Sequence, residues 1–276
     1  MFTDISSAER RSISHHDHRG AAEQRIGTDE VHADGLGPSP LNSVLGGPGG
    51  GMREGRDWHE WFEDAWAQRE EQLYPRVFGP LRPQIWPLSH EVFRGTFSQE
   101  SVDPRWLTYG VLVSEPNKSR PSWLYVSSGL SNAWEDDAPM PAGPSGLGME
   151  FVLETTEEAE WPILRLHHLI AFQILIACGR YPGRTLVDVH DRIPLGGPIR
   201  PPASELTWLV VAPPVGYESR FQLPTGHVDL RSIVGISEAE ASYARTDGPE
   251  SLLALLAKGG AYPVTDPARG SLATAA

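Results

Sequence analysis

The sequence predicts an α+β domain: a mixed, mainly antiparallel β-sheet packed by one long buried helix and short terminal helices, after a disordered N-terminal tail. Three observations lead there. Short β-rich segments separated by Gly and Pro fill residues 85–153, one long apolar stretch at 161–178 carries helix start and stop signals, and two short capped helices close the chain after further strands. The 276 residues are 39% apolar and 21% charged, as in ordinary globular proteins. The chain divides into a tail at 1–55, a domain at 56–271 and a disordered end at 272–276. A domain of that size buries roughly 70% of its unfolded surface, enough to fold without a metal or disulfide.

Residues 1–55 have no sustained apolar period and end in GLGPSPLNSVLGGPGGGMREG, where Gly and Pro interrupt any helix or strand. His15, His16 and His18 lie in this tail without a further ligand at fixed spacing, which favours a polar tail over a metal site. From Asp57, a natural N-cap, the pattern changes. Trp58, Trp61, Phe62, Ala65, Trp66, Arg69 and Leu73 form a helical stripe, and Pro75 and Gly79 are expected to close that helix.

Strands are predicted at 92–97, 106–113, 123–127 and 149–153, with Gly143 to Gly148 as a turn entering the last. The helix at 161–178 opens with Trp161 and Pro162, the latter suited to a first turn, and ends at Gly179. Its apolar positions surround much of the circumference, so it is expected to be deeply buried. Further strands follow at 185–189, 206–211 and 228–234. Two helices end the domain, one at 237–245 capped by Ser237 and one at 249–258 before Gly259 and Gly260.

Charge and composition exclude several function classes. There are 23 basic and 36 acidic side chains, a net charge of −13, the wrong long-range field for a nucleic-acid backbone. Lys118 and Lys258 are the only lysines, a bias that reflects base composition rather than phosphate recognition. No stretch approaches the ~20 apolar residues of a membrane helix, and the N-terminus lacks the apolar core of a secretion signal. A cytoplasmic protein is therefore expected, without membrane or nucleic-acid partners. One cysteine, Cys178, leaves no disulfide framework or cysteine-based zinc site.

No nucleophile, base and oxyanion site converge in the sequence. Gly143-Pro-Ser145-Gly146-Leu-Gly148 lacks the spacing of a nucleophile elbow and the Lys of a phosphate loop. His167 and His168 are adjacent on a helix and diverge, so they cannot chelate together. His190, with Asp188 and Asp191, could serve as a base or ligand, but reads better as a loop after a strand. Cys178 reads as a small buried hydrophobe. Glu135, Asp136 and Asp137 follow a Gly turn and an aromatic residue, where a binding loop would lie. These features predict no catalytic residues, metal or cofactor.

YVSSGLSNAW at 125–134, PSGLGMEFVL at 144–153 and WPILRLHHLIAFQI at 161–174 together resemble the suppressor of fused domain. That pattern is a Y-x-S-x-G-L-S strand and turn, an acidic loop, an S-G-x-G-x-E strand, then W-P opening a long helix. The resemblance continues through GHVDLRSIVGISEAEASYA, SLLALLAK and GGAYPVTDPARG, covering roughly 57–271. It marks Gly129, Leu130, Ser131, Gly146, Gly148, Glu150, Trp161 and Pro162 as structural motif positions. It also implies that the domain binds protein rather than catalyses a reaction.

In the animal member a partner peptide adds as a β-strand between this domain and a second one. By position, the resemblance assigns partner contact to Tyr125, Glu135, Asp136 and Asp137; a packed strand position is the other reading of Tyr125. Stand-alone bacterial members resemble immunity proteins, which implies a toxin as partner, a basic domain suiting the acidic chain. An adaptor that sequesters an endogenous protein such as a transcription factor is the alternative. A metal-assisted hydrolase on His167, His168 and His190 is a remote third.

Overall fold

A computed structural model describes residues 58–134 and 141–273. The predicted tail, its His15, His16 and His18, the Asp57 cap and the acidic residues Glu135, Asp136 and Asp137 lie outside the described residues. Among the described residues nine strands form one sheet in the order β1-β2-β3-β4-β8-β6-β5, with β7 beside β8 and β9 beside β4. The strands are β1 (Trp86–Pro87), β2 (Gly110–Ser114), β3 (Trp123–Ser128), β4 (Pro144–Thr155), β5 (Arg192–Pro194), β6 (Leu206–Ala212), β7 (Arg220–Leu223), β8 (Gly226–Ser237) and β9 (Val264–Thr265). Only β4 with β8 and β4 with β9 run parallel; every other pair is antiparallel. The α+β prediction is thus met. Among the described residues no helix is long and apolar enough to cross a membrane.

Helices cover both faces because the central strands are apolar on both sides. Val111, Val113, Phe151, Leu153, Leu209 and Val211 point toward the long helix α4 (Trp161–Ala177) and toward α3 (His90–Phe97). Their alternates divide between two coverings. Leu112, Leu124, Val126 and Val152 meet Tyr74 and Phe78 of α2 (Tyr74–Phe78). Val210, Ala212, Val234 and Ile236 meet α5 (Glu238–Asp247) and α6 (Pro249–Lys258).

The α4 helix is as buried as its circumference predicted, and two of its polar positions serve the chain that follows. Arg165 donates to the carbonyls of Ile199 (3.1 Å) and Pro198 (2.7 Å), while Gln173 Oε1 accepts from the Val187 amide at 2.8 Å. This last bond corrects the strand expected at 185–189. Here a side chain, not a neighbouring strand, satisfies the Val187 amide. The true edge strand is β5, three residues later in the chain.

Four other expectations change. The segment at 92–97 is helix α3, not a strand; Phe93 and Phe97, four residues apart, share one helical face, and Phe97 stacks on Phe172 of α4 at 6.3 Å. Residues Pro104–Thr108 form a 3₁₀ turn capped by Asp103, so β2 begins only at Gly110. Pro75 does not stop the first helix. Between α1 (Trp58–Ala67) and α2, residues Gln68–Leu73 wind as a π-helix, and the Tyr74 amide reaches back five residues to Arg69. That wider winding changes the register in which an N–H would be required of Pro75, and the helix runs on to Gly79. Finally, residues 144–148 are the irregular start of β4 rather than a turn before it, with a register shift between Pro144 and Met149.

The C-terminal end is latched. Ser237 and Glu240 form a reciprocal capping box on α5, and the Glu240 carboxylate also accepts from Arg269 at 2.6 and 2.9 Å and from the Leu272 amide. Burial alone would raise the Glu240 carboxyl; the Arg269 hydrogen bonds and two backbone amides hold it below its ordinary value instead. Arg269→Ala should destabilise the fold by about 3–5 kcal/mol in urea unfolding, because Glu240 would stay buried without its cation. Trp161, 5% exposed and donating to Glu157 at 3.1 Å, seals the start of α4. Trp161→Ala should cost about 3–5 kcal/mol by the same measurement.

A second buried carboxyl behaves oppositely. Glu154 is raised by burial, against the Ser122 hydroxyl at 2.5 Å and the nearby Arg120, which lower it. A raised folded-state value means the ionised form is disfavoured in the native protein, so stability is lost as pH rises through that value. Glu154→Gln should therefore match the wild type at acid pH and exceed it at neutral pH; parallel pH series of urea unfolding check the sign.

Candidate partner-binding site

The Y-x-S-x-G-L-S segment is a cradle for a carboxylate. Glu150 of β4 is 0% exposed. Its Oε1 accepts from the Gly129 amide (3.0 Å), the Ser131 amide (2.9 Å) and the Ser131 hydroxyl (2.7 Å), and its Oε2 from the Ser127 hydroxyl (2.5 Å). Four donors from one turn thus converge on one buried anion, which fixes the path of residues 127–131. Gly129 has φ 133°, and a Cβ there would meet the Tyr109 ring at 2.4 Å. A residue with a side chain cannot occupy this turn without moving that ring.

The countercharge comes from the helical segment that precedes the sheet. Arg69, 1% exposed in the π-helical turn, lies 3.9 Å from Glu150 and donates to Ser131 (2.8 Å), Asn132 (2.7 Å), Ser128 (2.8 Å) and Glu70 (3.2 Å). Ser131 accepts from Arg69 while donating to Glu150, and Ser128 accepts from Arg69 while donating to Glu70. Each serine relays one carboxylate to the same guanidinium. Desolvation would lower the Arg69 value, but Glu150, Tyr74 and Glu70 together hold it raised, so the cation is retained in the interior. Arg69 lies on the apolar stripe of the first helix. A cation on such a stripe is the sequence signal of a buried anion elsewhere.

The cradle presents an aromatic layer. Trp134 stacks parallel to Tyr109 at 6.3 Å and donates its indole N–H to the Tyr109 hydroxyl at 2.9 Å. Phe62 of α1 stacks on Trp134 at 4.8 Å, and the Arg105 guanidinium lies 5.7 Å from the Trp134 ring. Trp134 and Phe62 are half-buried, and Glu135, Asp136 and Asp137 follow Trp134 directly in the chain. Neither Tyr109 nor Trp134 was singled out by the sequence reading; the closeness of an aromatic to the acidic run was the available signal.

The remaining expected positions separate. Tyr125 is 1% exposed, packed toward α4, with its hydroxyl bonded to both the amide and the carbonyl of Ala159 at 3.0 Å. It packs as a strand residue of the core, one of its two readings. Leu130 is buried in the main core, and Pro162 is buried at the first turn of α4. Gly146 and Gly148 have φ 55° and 69°; a Cβ on Gly146 would lie 2.4 Å from the Asn132 carbonyl, so the irregular start of β4 closes against the cradle.

His167 donates from Nε2 to the Trp86 carbonyl (2.9 Å), whereas His168 Nε2 lies 3.2 Å from the Thr96 hydroxyl, and the two diverge as expected. Burial lowers both, His168 to about 4. His190 has φ 78° and lies across from Glu250, its Nδ1 at 3.9 Å. Among the described residues no three His, Cys, Asp or Glu are grouped to hold a metal. Cys178 is half-buried, and burial pushes its thiol up, away from the reactive thiolate.

The model of the family described as Suppressor of fused protein (SUFU) matches residues 105–270. Among solved structures, a SUFU homologue from Neisseria gonorrhoeae FA 1090 is similar in fold, with TM-score 0.53 and 17% identity over 79% of this chain and 100% of that one. Drosophila Suppressor of Fused gives TM-score 0.48 and 22% identity over 59% of this chain and 42% of its own length. A structure of a Sufu–Fu complex gives 0.49 and 21%, over 59% of this chain and 76% of that one. No curated protein matches.

The cradle yields a stability prediction. Arg69→Met should cost about 3–5 kcal/mol in urea unfolding, leaving two buried carboxylates without their cation. The double variant R69M/E150Q should cost less than the sum of the single changes, because the partners are coupled. Gly129→Val should lower the melting temperature; wild-type melting would contradict the cradle geometry.

Proposed function

The chain belongs to the suppressor of fused family, and from that premise we propose that it works as a non-catalytic protein-binding domain, an immunity protein that binds and neutralises a basic toxin domain. The observation that carries this reading is the aromatic layer of Phe62 and Trp134, half-buried over the buried Tyr109 beside the ionic cluster, and continued in the chain by Glu135, Asp136 and Asp137. Aromatic residues on a preorganised surface suit the centre of a protein interface. Carboxylates next to them in the sequence, in a chain of net charge −13, would draw a cationic partner at long range.

The adaptor reading, in which a partner adds as a strand, finds less support in the sheet. Its ordered path ends in β1, of two residues, and β5, of three closing on Pro194, and β7, which lies off that path beside β8, has four. Edges so short offer little backbone to a further strand. A site presented by side chains at the end of the cradle needs no such edge.

Co-expression tests the reading. Each protein encoded beside this chain's gene is expressed in a sensitive host with and without it. Growth restored against one of them is the expected result, with an affinity that weakens as salt is raised; no protection against any of them would remove the immunity function.

A further inference from the structure

A hollow of about 50 Å³ opens beside the aromatic layer. Trp106, Tyr109, Trp134, Leu147 and Ile174 wall it, and Ala177 and Cys178 at the C-terminal end of α4 line it as well. Its size decides the kind of occupant. Sites for metabolites and cofactors span ~300–1,000 Å³, so this one has room for a single small apolar side chain.

The charge around it decides what carries that side chain. Arg105 at the edge of the hollow is engaged by Asp103, at 3.1 Å from Nε and 2.8 Å from the terminal nitrogen. Across Trp134, the α1 helix that bears Phe62 exposes Glu60, Glu63 and Asp64 and carries no Lys or Arg. The 17-residue helix α4 also turns its C-terminal, partially negative end toward the hollow. A nucleic acid or a second copy of this acidic chain would be repelled by this surrounding.

We propose that the hollow is an anchor site for one small aliphatic side chain of a protein partner, flanked in that partner by Lys or Arg that meet the acidic face of α1. This rests on the protein-binding reading and adds the recognition rule: an apolar anchor within a basic segment. The walls are held in place indirectly by the carboxylate cradle, since Trp134 follows the turn that Glu150 fixes and Asn132 both lines the hollow and accepts from Arg69.

The test pans a displayed library of random peptides, of about twelve residues, on the full chain. Enriched sequences should pair an apolar residue with neighbouring Lys or Arg. A synthetic representative should bind Ala177→Trp, which fills the hollow from a half-buried helix end, at least about tenfold more weakly. It should also slow alkylation of Cys178 by N-ethylmaleimide in the unmutated protein, a readout independent of how well the variant folds. The triple change E60Q/E63Q/D64N should weaken binding at low salt and have less effect at high salt.

No enrichment, enrichment of acidic peptides, or binding that neither protects Cys178 nor responds to Ala177→Trp would overturn the proposal. Growth protection that survives Ala177→Trp would leave the immunity reading standing without the hollow. Hollow-dependent peptide binding without growth protection would remove the toxin and keep the site.

Discussion

One buried carboxylate organises this domain. Glu150 would be costly in the interior if it were not met by four donors from residues 127–131 and by the Arg69 cation. Meeting that demand dictates the turn, requires glycine at 129, and draws the N-terminal helix onto the sheet through the long side chain of Arg69. The ionic cluster is a constraint on shape more than a source of net stability, since an apolar core of similar volume could be as stable. What it provides is one arrangement of the turn, and hence of the aromatic residues that follow.

The sheet supplies the rigidity on which this depends. Apolar residues on both sides of β2, β3, β4, β6 and β8 leave no solvent face at the centre, so helices must cover both. The α4 helix does more than cover. Through Arg165 and Gln173 it holds the extended chain between itself and β6, and its last turn floors the hollow beside Trp134. The C-terminal latch of Arg269 on Glu240 closes the opposite covering. Binding surfaces set on such a frame lose little conformational freedom when a partner arrives.

Much of this was legible in the sequence, for identifiable reasons. The α4 helix announced itself by its length, its Trp161-Pro162 start and its glycine stop. Gly129, Ser131 and Glu150 could be grouped by their order in the motifs. What failed was short or compensated. Residues 92–97 alternate well enough to imitate a strand, because Phe93 and Phe97 satisfy both periods over so few residues. Residues 185–189 have strand-like side chains, but the Val187 amide is satisfied by a glutamine that no local pattern reveals. The π-helical turn that carries the chain through Pro75 has no sequence signature beyond the proline it accommodates. Arg69 stood in plain view among tryptophans, and only the demand of Glu150 explains it.

The claim that Glu150 and Arg69 fix the binding turn is tested most directly by hydrogen exchange at single amides. The Gly129 and Ser131 amides, both donors to Glu150, should exchange only through global unfolding in the wild type. In Arg69→Met, under conditions where the protein remains folded, they should exchange by local opening while amides in α4 stay protected. Equal protection of the turn in both proteins would show that it holds its shape without the buried ion pair, and would contradict the account.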